Sequence, residues 1–329
     1  MATFNVLNLG AGWQSSRIFL AMCAGELPMA DAAVFSDTQW EPKAVYRHLR
    51  WLEAQGRKAG LKIHRVTKGD LRKDAIEFRA MRKSSDGKRF ASIPLFTKNL
   101  DGSQGRIKRQ CTKEYKIWPI ERWIRRVFLG LRPGQRIPKD VLVRQWFGIS
   151  KDEGGRATFP GQWKKTTITK EGLFGEPYTV TTRRWLPAMW KHHVYPLLNE
   201  IWKPNRTIEE YQFLPTREDR ETVGEWLKAR FPKRNVPRSA CIGCPFRSND
   251  EWREMRDERP DEWADACEFD DAQRVADAQS ASGRKLLVGT PYVHRQLVQL
   301  RMVNLNGPGE RKGAGCGTLF DGQDGLCGV

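Results

Sequence analysis

The chain has 329 residues, enough to bury a substantial core either as two compact domains or as one domain with large insertions, and the second reading is favoured. Its formal net charge of +18 points to a polyanionic partner or a strongly anionic substrate, the alternative being a generally basic surface. No stretch is apolar and long enough to cross a bilayer, the N-terminus lacks a signal-peptide pattern, and the seven cysteines are an odd number; the expectation is a cytoplasmic protein, without a membrane role, whose thiols stay reduced or bind metal.

A mostly apolar run over 4–10 predicts a strand that ends in the glycine-rich turn GAGWQSS (10–16), and Ile18, Phe19, Leu20 and Met22 continue it as a helix. The run 32–38 predicts a second strand, and the segment after Pro42 a helix with Val45, Leu49 and Leu52 on one face. A third strand over 62–68 and a helix over 71–81 follow. Strands alternating with helices imply an α/β fold, a Rossmann-like parallel sheet with helices on both faces.

Residues 84–110 are rich in Gly, Ser, Lys and Arg and predict a long loop over the carboxyl ends of the strands. A helix from about Thr112 to Phe128 leads to a strand over 141–150, and basic residues far outnumber acidic ones between Lys98 and Arg144, a candidate basic face. The β-branched segment 163–185 predicts a β-hairpin within an insertion of about 157–190. It reads either as an arm touching phosphates with Lys164, Lys165, Arg183 and Arg184 while Trp163 or Trp185 stacks on a base, or as an edge hairpin whose lysines discourage aggregation. After Cys244 the pattern is helical again, with an acidic segment over 250–272 and a glycine-rich tail holding Cys316 and Cys327. The expected division is a nucleotide-binding domain over 1–250 and a helical C-terminal extension with its tail over 251–329.

The turn at 10–16 stands where an open α/β sheet binds ligands, and backbone amides at a helix start favour phosphate. A tight turn with an N-cap serine would show the same residues. The order strand, GAGWQSS, helix, strand, DTQWEP (37–42) resembles the PP-loop nucleotide hydrolases, and among them the phosphoadenosine phosphosulfate (PAPS) reductase family. The resemblance implies an adenine nucleotide alpha hydrolase-like fold. It further implies that Gly10, Gly12, Ser15 and Ser16 cradle phosphate or sulfate and that Asp37, Thr38 and Glu41 border the nucleotide. Gln14 stands where the members that split ATP carry Asp; a glutamine lacks the charge that helps handle metal and polyphosphate, which favours a sulfonucleotide over ATP with Mg.

Cys241 and Cys244, in PRSACIGCPF, are spaced so that both sulfurs reach one metal or cluster; alone the pair is equally a redox dithiol or half a zinc site. The segment KRQCTKEYKIWPI (108–120) is similar to the cysteine-pair segment of cluster-containing adenylylsulfate reductases: Cys111, Lys116 and Pro119 match, and Gln110 replaces the first cysteine. The resemblance therefore implies a [4Fe-4S] cluster, with zinc as the alternative, on Cys111, Cys241 and Cys244, and one iron left open. Cys327 in GLCGV resembles the family's C-terminal nucleophile but lacks its flanking Glu and His, so a disordered or metal-binding tail is the competing reading. Arg156 and Lys151, in GISKDEGGR, match a segment that gives arginine to nucleotide phosphates, with Asp152 and Glu153 serving a metal or capping the loop. Lys116, Arg156 and Cys327 are thus the expected catalytic set. Cys23 and Cys267 read as packing residues, and His192 and His193 lack a third ligand nearby.

Three functions follow as expectations. The first is sulfonucleotide reduction, with PAPS or adenylylsulfate as substrate and a thioredoxin-like electron donor. The second is ATP-dependent sulfur insertion into tRNA or DNA, fed by a cysteine desulfurase. The third is a non-enzymatic nucleic-acid-binding module. A homo-oligomer is expected in each case.

Overall fold

The computed structural model describes residues 1–80, 93–171, 176–278 and 289–306. In chain order, β1 (Ala2–Asn8) leads to α1 (Trp13–Cys23), β2 (Ala32–Asp37) to α2 (Lys43–Ala59), and β3 (Ile63–Thr67) to α3 (Leu71–Ala80). A short hairpin, β4 (Phe96–Asn99) and β5 (Gln104–Arg106), precedes α4 (Trp118–Trp123), which is flanked by π-wound segments Thr112–Ile117 and Ile124–Phe128. Then come β6 (Val141–Trp146), a ribbon of β7 (Gly161–Glu171) and β8 (Pro177–Pro187), and the strands β9 (Lys191–Tyr195), β10 (Glu200–Trp202) and β11 (Ile208–Glu210). Helices α5 (Arg220–Arg230), α6 (Asn249–Glu258) and α7 (Pro260–Ala278) and the strand β12 (Gly289–Tyr292) follow.

The main sheet has seven strands in the order β11-β10-β9-β6-β1-β2-β3. The run from β3 to β9 is parallel, and β10 and β11 extend it antiparallel. The alternation of side chains along each strand supplies a core to both faces. Leu7, Ala33, Phe35 and Trp146 pack with α1, α2 and α5, whereas Val6, Val34 and Val143 pack with Ile120, Trp123 and Ile124 on the other face. The architecture is therefore an α/β fold with a large, mostly parallel sheet flanked by helices, compatible with a Rossmann-like fold. No helix among the described residues is long and apolar enough to cross a membrane.

A second apolar cluster sits beyond the carboxyl end of β2. Trp40, Leu71, Ile107 and Tyr115 pack there with Trp252, Met255 and Phe269, so residues on both sides of position 250 share one core. The segment read as a long loop is different in its described part: β4 and β5 pair antiparallel, and β12 adds a third strand from far along the chain. The turn closes at Gly102, with φ near 80°, and the Asn99 amide donates to the Ser103 carbonyl. A strand whose partner lies in a distant segment leaves little periodic signal locally, which is why composition alone suggested a loop.

Candidate functional site

The chain leaves β1 for β2 and β3 on one side and returns through β6 and β9 on the other, so the carboxyl ends of β1 and β6 diverge at a topological switch point. Here Ala11 takes a left-handed φ of 54° and turns the chain into α1. Ser15 Oγ accepts from the Gly10 amide at 3.2 Å and donates to the Gly12 carbonyl at 3.3 Å, bracing the turn. Ser16 is fully buried and its hydroxyl meets His48 Nε2 at 2.9 Å. Two close approaches fix the helix start: a Cβ on Gly148 would lie 2.6 Å from the Ser15 nitrogen, and one on Gly12 would lie 3.0 Å from Ser239 Cβ. The α1 N-terminus has no side-chain cap and no acidic residue in its first turn, leaving its amides and dipole directed at the cleft beyond.

That cleft is a cavity of about 1030 Å³ lined by Gly12, Gln14 and Ser15 of the turn and helix, by Thr38 after β2, and by two chemically distinct walls. The first wall is cationic, with Arg109, Arg156, Arg220 and Arg238. Glu153 organises it, accepting from Gln14 Nε2 at 3.0 Å and from Arg156 Nη1 at 2.5 Å, and pairing with Arg220. Arg238 pairs with Glu251, and Arg109 donates to Thr112 Oγ1. Burial, reinforced by the neighbouring Arg109 and Arg238, pushes the Arg156 guanidinium down to about 10. Arg156 Nε and Ser239 Oγ are buried with no hydrogen-bond partner among the described residues, which an anion's oxygens would satisfy.

The second wall carries the thiols of Cys111, Cys241 and Cys244 together with Lys116. Behind them Glu41, almost wholly buried, meets Lys116 Nζ at 3.3 Å, Thr38 Oγ1 at 3.1 Å and Cys241 Sγ at 3.5 Å. Burial pulls the Lys116 ammonium down, but the Glu41 carboxylate, joined by Cys241 and Cys111 once they ionise, outweighs it and holds the ammonium above its ordinary range. Burial raises the thiols of Cys111 and Cys241, against the opposing pull of Arg109 and Lys116 at Cys111 and of Lys116 at Cys241. Burial thus favours the protonated form of Cys111 and Cys241, and a bound metal would displace those protons.

The loop carrying Cys241 and Cys244 is built rather than loose. The Ile242 amide donates to the Trp40 carbonyl at 3.0 Å, tying it to the end of β2, and a Cβ on Gly243 would lie 2.3 Å from the Trp40 ring. The buried Arg247 guanidinium donates to the carbonyls of Ala240 at 2.8 Å, Cys241 at 3.0 Å and Ile242 at 3.1 Å. Ser248 and Glu251 then form a capping box that starts α6 directly after the loop.

Of the residues expected from sequence, Gly12, Gln14, Ser15, Thr38, Lys116, Arg156, Cys111, Cys241 and Cys244 all line this one cavity. Gly10, Ser16 and Glu41 support it from behind, and Asp37 is engaged by Tyr46 Oη at 2.7 Å and the Gln39 amide at 2.8 Å. Cys327 and Cys316 fall outside the described residues. Cys23 and Cys267 pack into the two apolar clusters, and burial pushes each thiol up to about 11. His193 Nδ1 lies 2.7 Å from the Thr158 carbonyl and His294 Nε2 lies 3.0 Å from Asn249 Oδ1, both as internal anchors. Sequence reasoning missed Arg109, Arg220, Arg238 and Arg247; the basic runs around 106–109 and 233–238 were the available signal for Arg109 and Arg238, and Arg220 and Arg247 lie in no such run. Among the described residues no group of three or more His, Cys, Asp or Glu stands in the geometry of a metal-ion site.

Compared with protein-family models, with curated proteins and with solved structures, the chain finds no match.

Proposed function

We propose that the chain is an adenine-nucleotide-binding enzyme of the PAPS reductase type, within the PP-loop superfamily, that carries out sulfur chemistry at the carboxyl edge of its sheet. The observation that carries this reading is the sharing of one cavity by the uncapped start of α1, a cluster of guanidinia and three cysteines from two remote segments. In this reading the α1 amides and Arg156, with Arg109 and Arg238, receive the sulfate and phosphate groups of PAPS or adenylylsulfate. A thiolate attacks the sulfate sulfur; an S–S bond forms as the S–O bond to the nucleotide breaks, and the nucleotide phosphate leaves with the electron pair. A thioredoxin-like dithiol then reduces the thiosulfonate, releasing sulfite and becoming a disulfide. Cys327 is the nucleophile that the family resemblance supplies.

Three soft thiols on one wall fit a [4Fe-4S] cluster better than zinc, which would take a fourth ligand of its own. Bound to Cys111, Cys241 and Cys244, such a cluster would displace the thiol protons and place an open iron beside the anion site. Lys116 holds its proton beside these thiols through Glu41, keeping a fixed cation on the same wall.

The second reading, ATP-dependent thiolation of nucleic acid, is favoured by the replacement of a family cysteine by Gln110. Against it, the carboxylate that Gln14 contacts is Glu153, and two guanidinia already engage it, so it does not supply the metal-handling charge that Gln14 lacks. Purification without oxygen, followed by iron, sulfide and zinc determination and by calorimetry with PAPS and with ATP, separates the two. Tight PAPS binding without ATP binding supports reduction; pyrophosphate release from ATP stimulated by RNA or DNA overturns it. Arg156→Ala is expected to weaken nucleotide binding by about tenfold or more.

A further inference from the structure

The ribbon of β7 and β8 plays no part in the cavity. Its root lies at the other end of the sheet: β9 begins at Lys191, paired with Val143 near the start of β6, and the Ala188 amide donates to the Pro160 carbonyl just before it. This root is firmly built. Trp185 Nε1 donates to the Pro204 carbonyl at 3.0 Å, Trp163 and Trp185 meet edge to face with centroids 5.4 Å apart, and the Arg206 guanidinium lies 5.3 Å from the Trp163 ring. A Cβ on Gly161 would lie 2.3 Å from the Trp185 ring, so glycine permits the closure.

Beyond the root the ribbon stands in solvent on both faces, with residues 162–170 and 181–184 exposed. Its register places Lys164 directly opposite Arg184 and Lys165 directly opposite Arg183. Like charges facing each other across a ladder destabilise it, and an isolated two-stranded hairpin is marginal in water to begin with. Among the described residues no carboxylate pairs with these four cations. Successive residues point to opposite faces, so each face carries one cationic pair, and exposed threonines, Thr166 and Thr167 with Thr182 and Thr181 across, continue both faces outward. The same edge of the sheet carries exposed Arg132, Arg136 and Lys139 in the segment leading into β6.

We propose that this ribbon is an arm that binds duplex DNA, at a surface separate from the nucleotide cavity. A two-stranded ribbon is a shape the B-form major groove, about 12 Å wide, admits, whereas the deep, narrow major groove of A-form RNA does not. A ribbon seated between two phosphate backbones needs cations on both faces, which is what the register supplies. Phosphates interposed near the facing pairs convert repulsion into attraction, so the strain in the free arm is relieved on binding. The basic rim at Arg132, Arg136 and Lys139 extends the same charge along the sheet edge.

The test uses the full chain and a labelled DNA duplex of about 30 base pairs, titrated across about 50 to 200 mM salt, the range over which phosphate contacts express themselves. The variant K164Q/K165Q/R183Q/R184Q is expected to lose about tenfold or more in affinity and to lower the salt slope by about 3 to 4, one phosphate contact for each cation. Its melting temperature should hold or rise, because two repulsive pairs are gone, and calorimetric nucleotide binding should not change. The charge-retaining variant K164R/K165R/R183K/R184K should bind like the parent, guarding against a folding artefact. Parental affinity and slope in the glutamine variant would overturn the proposal. So would an RNA duplex of equal length, or vesicles of phosphatidylserine and phosphatidylcholine, binding as tightly with the same dependence on these residues. Loss of nucleotide binding in the parent would count against the cavity reading and leave the arm untouched.

Discussion

The two cationic regions of this chain hold their charge in opposite ways. At the carboxyl edge Arg156 and Arg220 converge on Glu153, Arg238 pairs with Glu251, and Arg247 is spent on three backbone carbonyls. At the amino edge Lys164 faces Arg184 and Lys165 faces Arg183 across an exposed ladder. Charge fixed in advance by internal carboxylates suits a small anion held in one geometry, since little reorganisation accompanies its arrival. Charge left facing itself in water suits a long polyanion, which contributes its own countercharge. The net charge of +18 is thus not one property: part of it shapes a cavity and part of it covers an edge.

Mutations and pH can break this contrast at either edge. The largest effect is expected from Arg247→Ala, which removes the donor for three carbonyls of the cysteine loop; a loss of about 3 kcal/mol or more in urea unfolding follows, with loss of any bound metal. Acid comes next. Burial first, and then Arg234, lowers His48 to about 4, and burial with Arg295 does the same to His294. Because the folded values lie below the unfolded value of about 6.5, the stability these groups confer is fully present above pH 6.5 and is lost as pH falls toward 4. Each contributes up to about 3 kcal/mol, and His48→Gln should flatten the dependence of the urea midpoint over that window.

Gly148→Ala is expected to cost about 1–3 kcal/mol, because the added methyl meets the Ser15 nitrogen and displaces the start of α1. Nucleotide binding, measured by calorimetry, should fall more steeply than stability does. The smallest effect should carry the opposite sign. Replacing Lys164 and Arg184 by threonine should stabilise the chain by about 0.2–1 kcal/mol in thermal unfolding, since one like-charge pair disappears from the ladder. An equal substitution at Arg156 in the cavity should destabilise instead, leaving Glu153 buried with one cation fewer.

Much of the main sheet was legible. The runs 4–10, 32–38 and 62–68 read as strands, and the structure places β1, β2 and β3 there, ending at Asn8, Asp37 and Thr67, in a sheet covered on both faces. The ribbon was legible too, from β-branched residues around a Gly and Pro turn, within a few residues at each end. Strands β9 to β11 and helix α5 were not assigned: the strands are three to five residues long, and β10 and β11 are antiparallel additions to a parallel sheet. In the site, Cys241 and Cys244 announce themselves by spacing, but Arg247 does not. Its role depends on a guanidinium folding back over the loop that precedes it, and no local pattern encodes that.

By itself the sequence determined the local pieces: alternating strands and helices, a glycine turn at a helix start, a cysteine pair with ligand spacing, and a basic hairpin. Each follows from residues a few positions apart, whose side-chain period or turn chemistry acts over that same distance. Only the tertiary structure decided which pieces meet. Packing of Trp40 against Gly243 and of Ile107 and Tyr115 against the α6 and α7 core brings Cys111 beside Cys241 and Cys244, and sheet order brings Glu153 to Gln14. Sheet order likewise sends the ribbon to the opposite edge. These proximities depend on how buried surfaces fit together across the whole chain, and that information resides in no single segment.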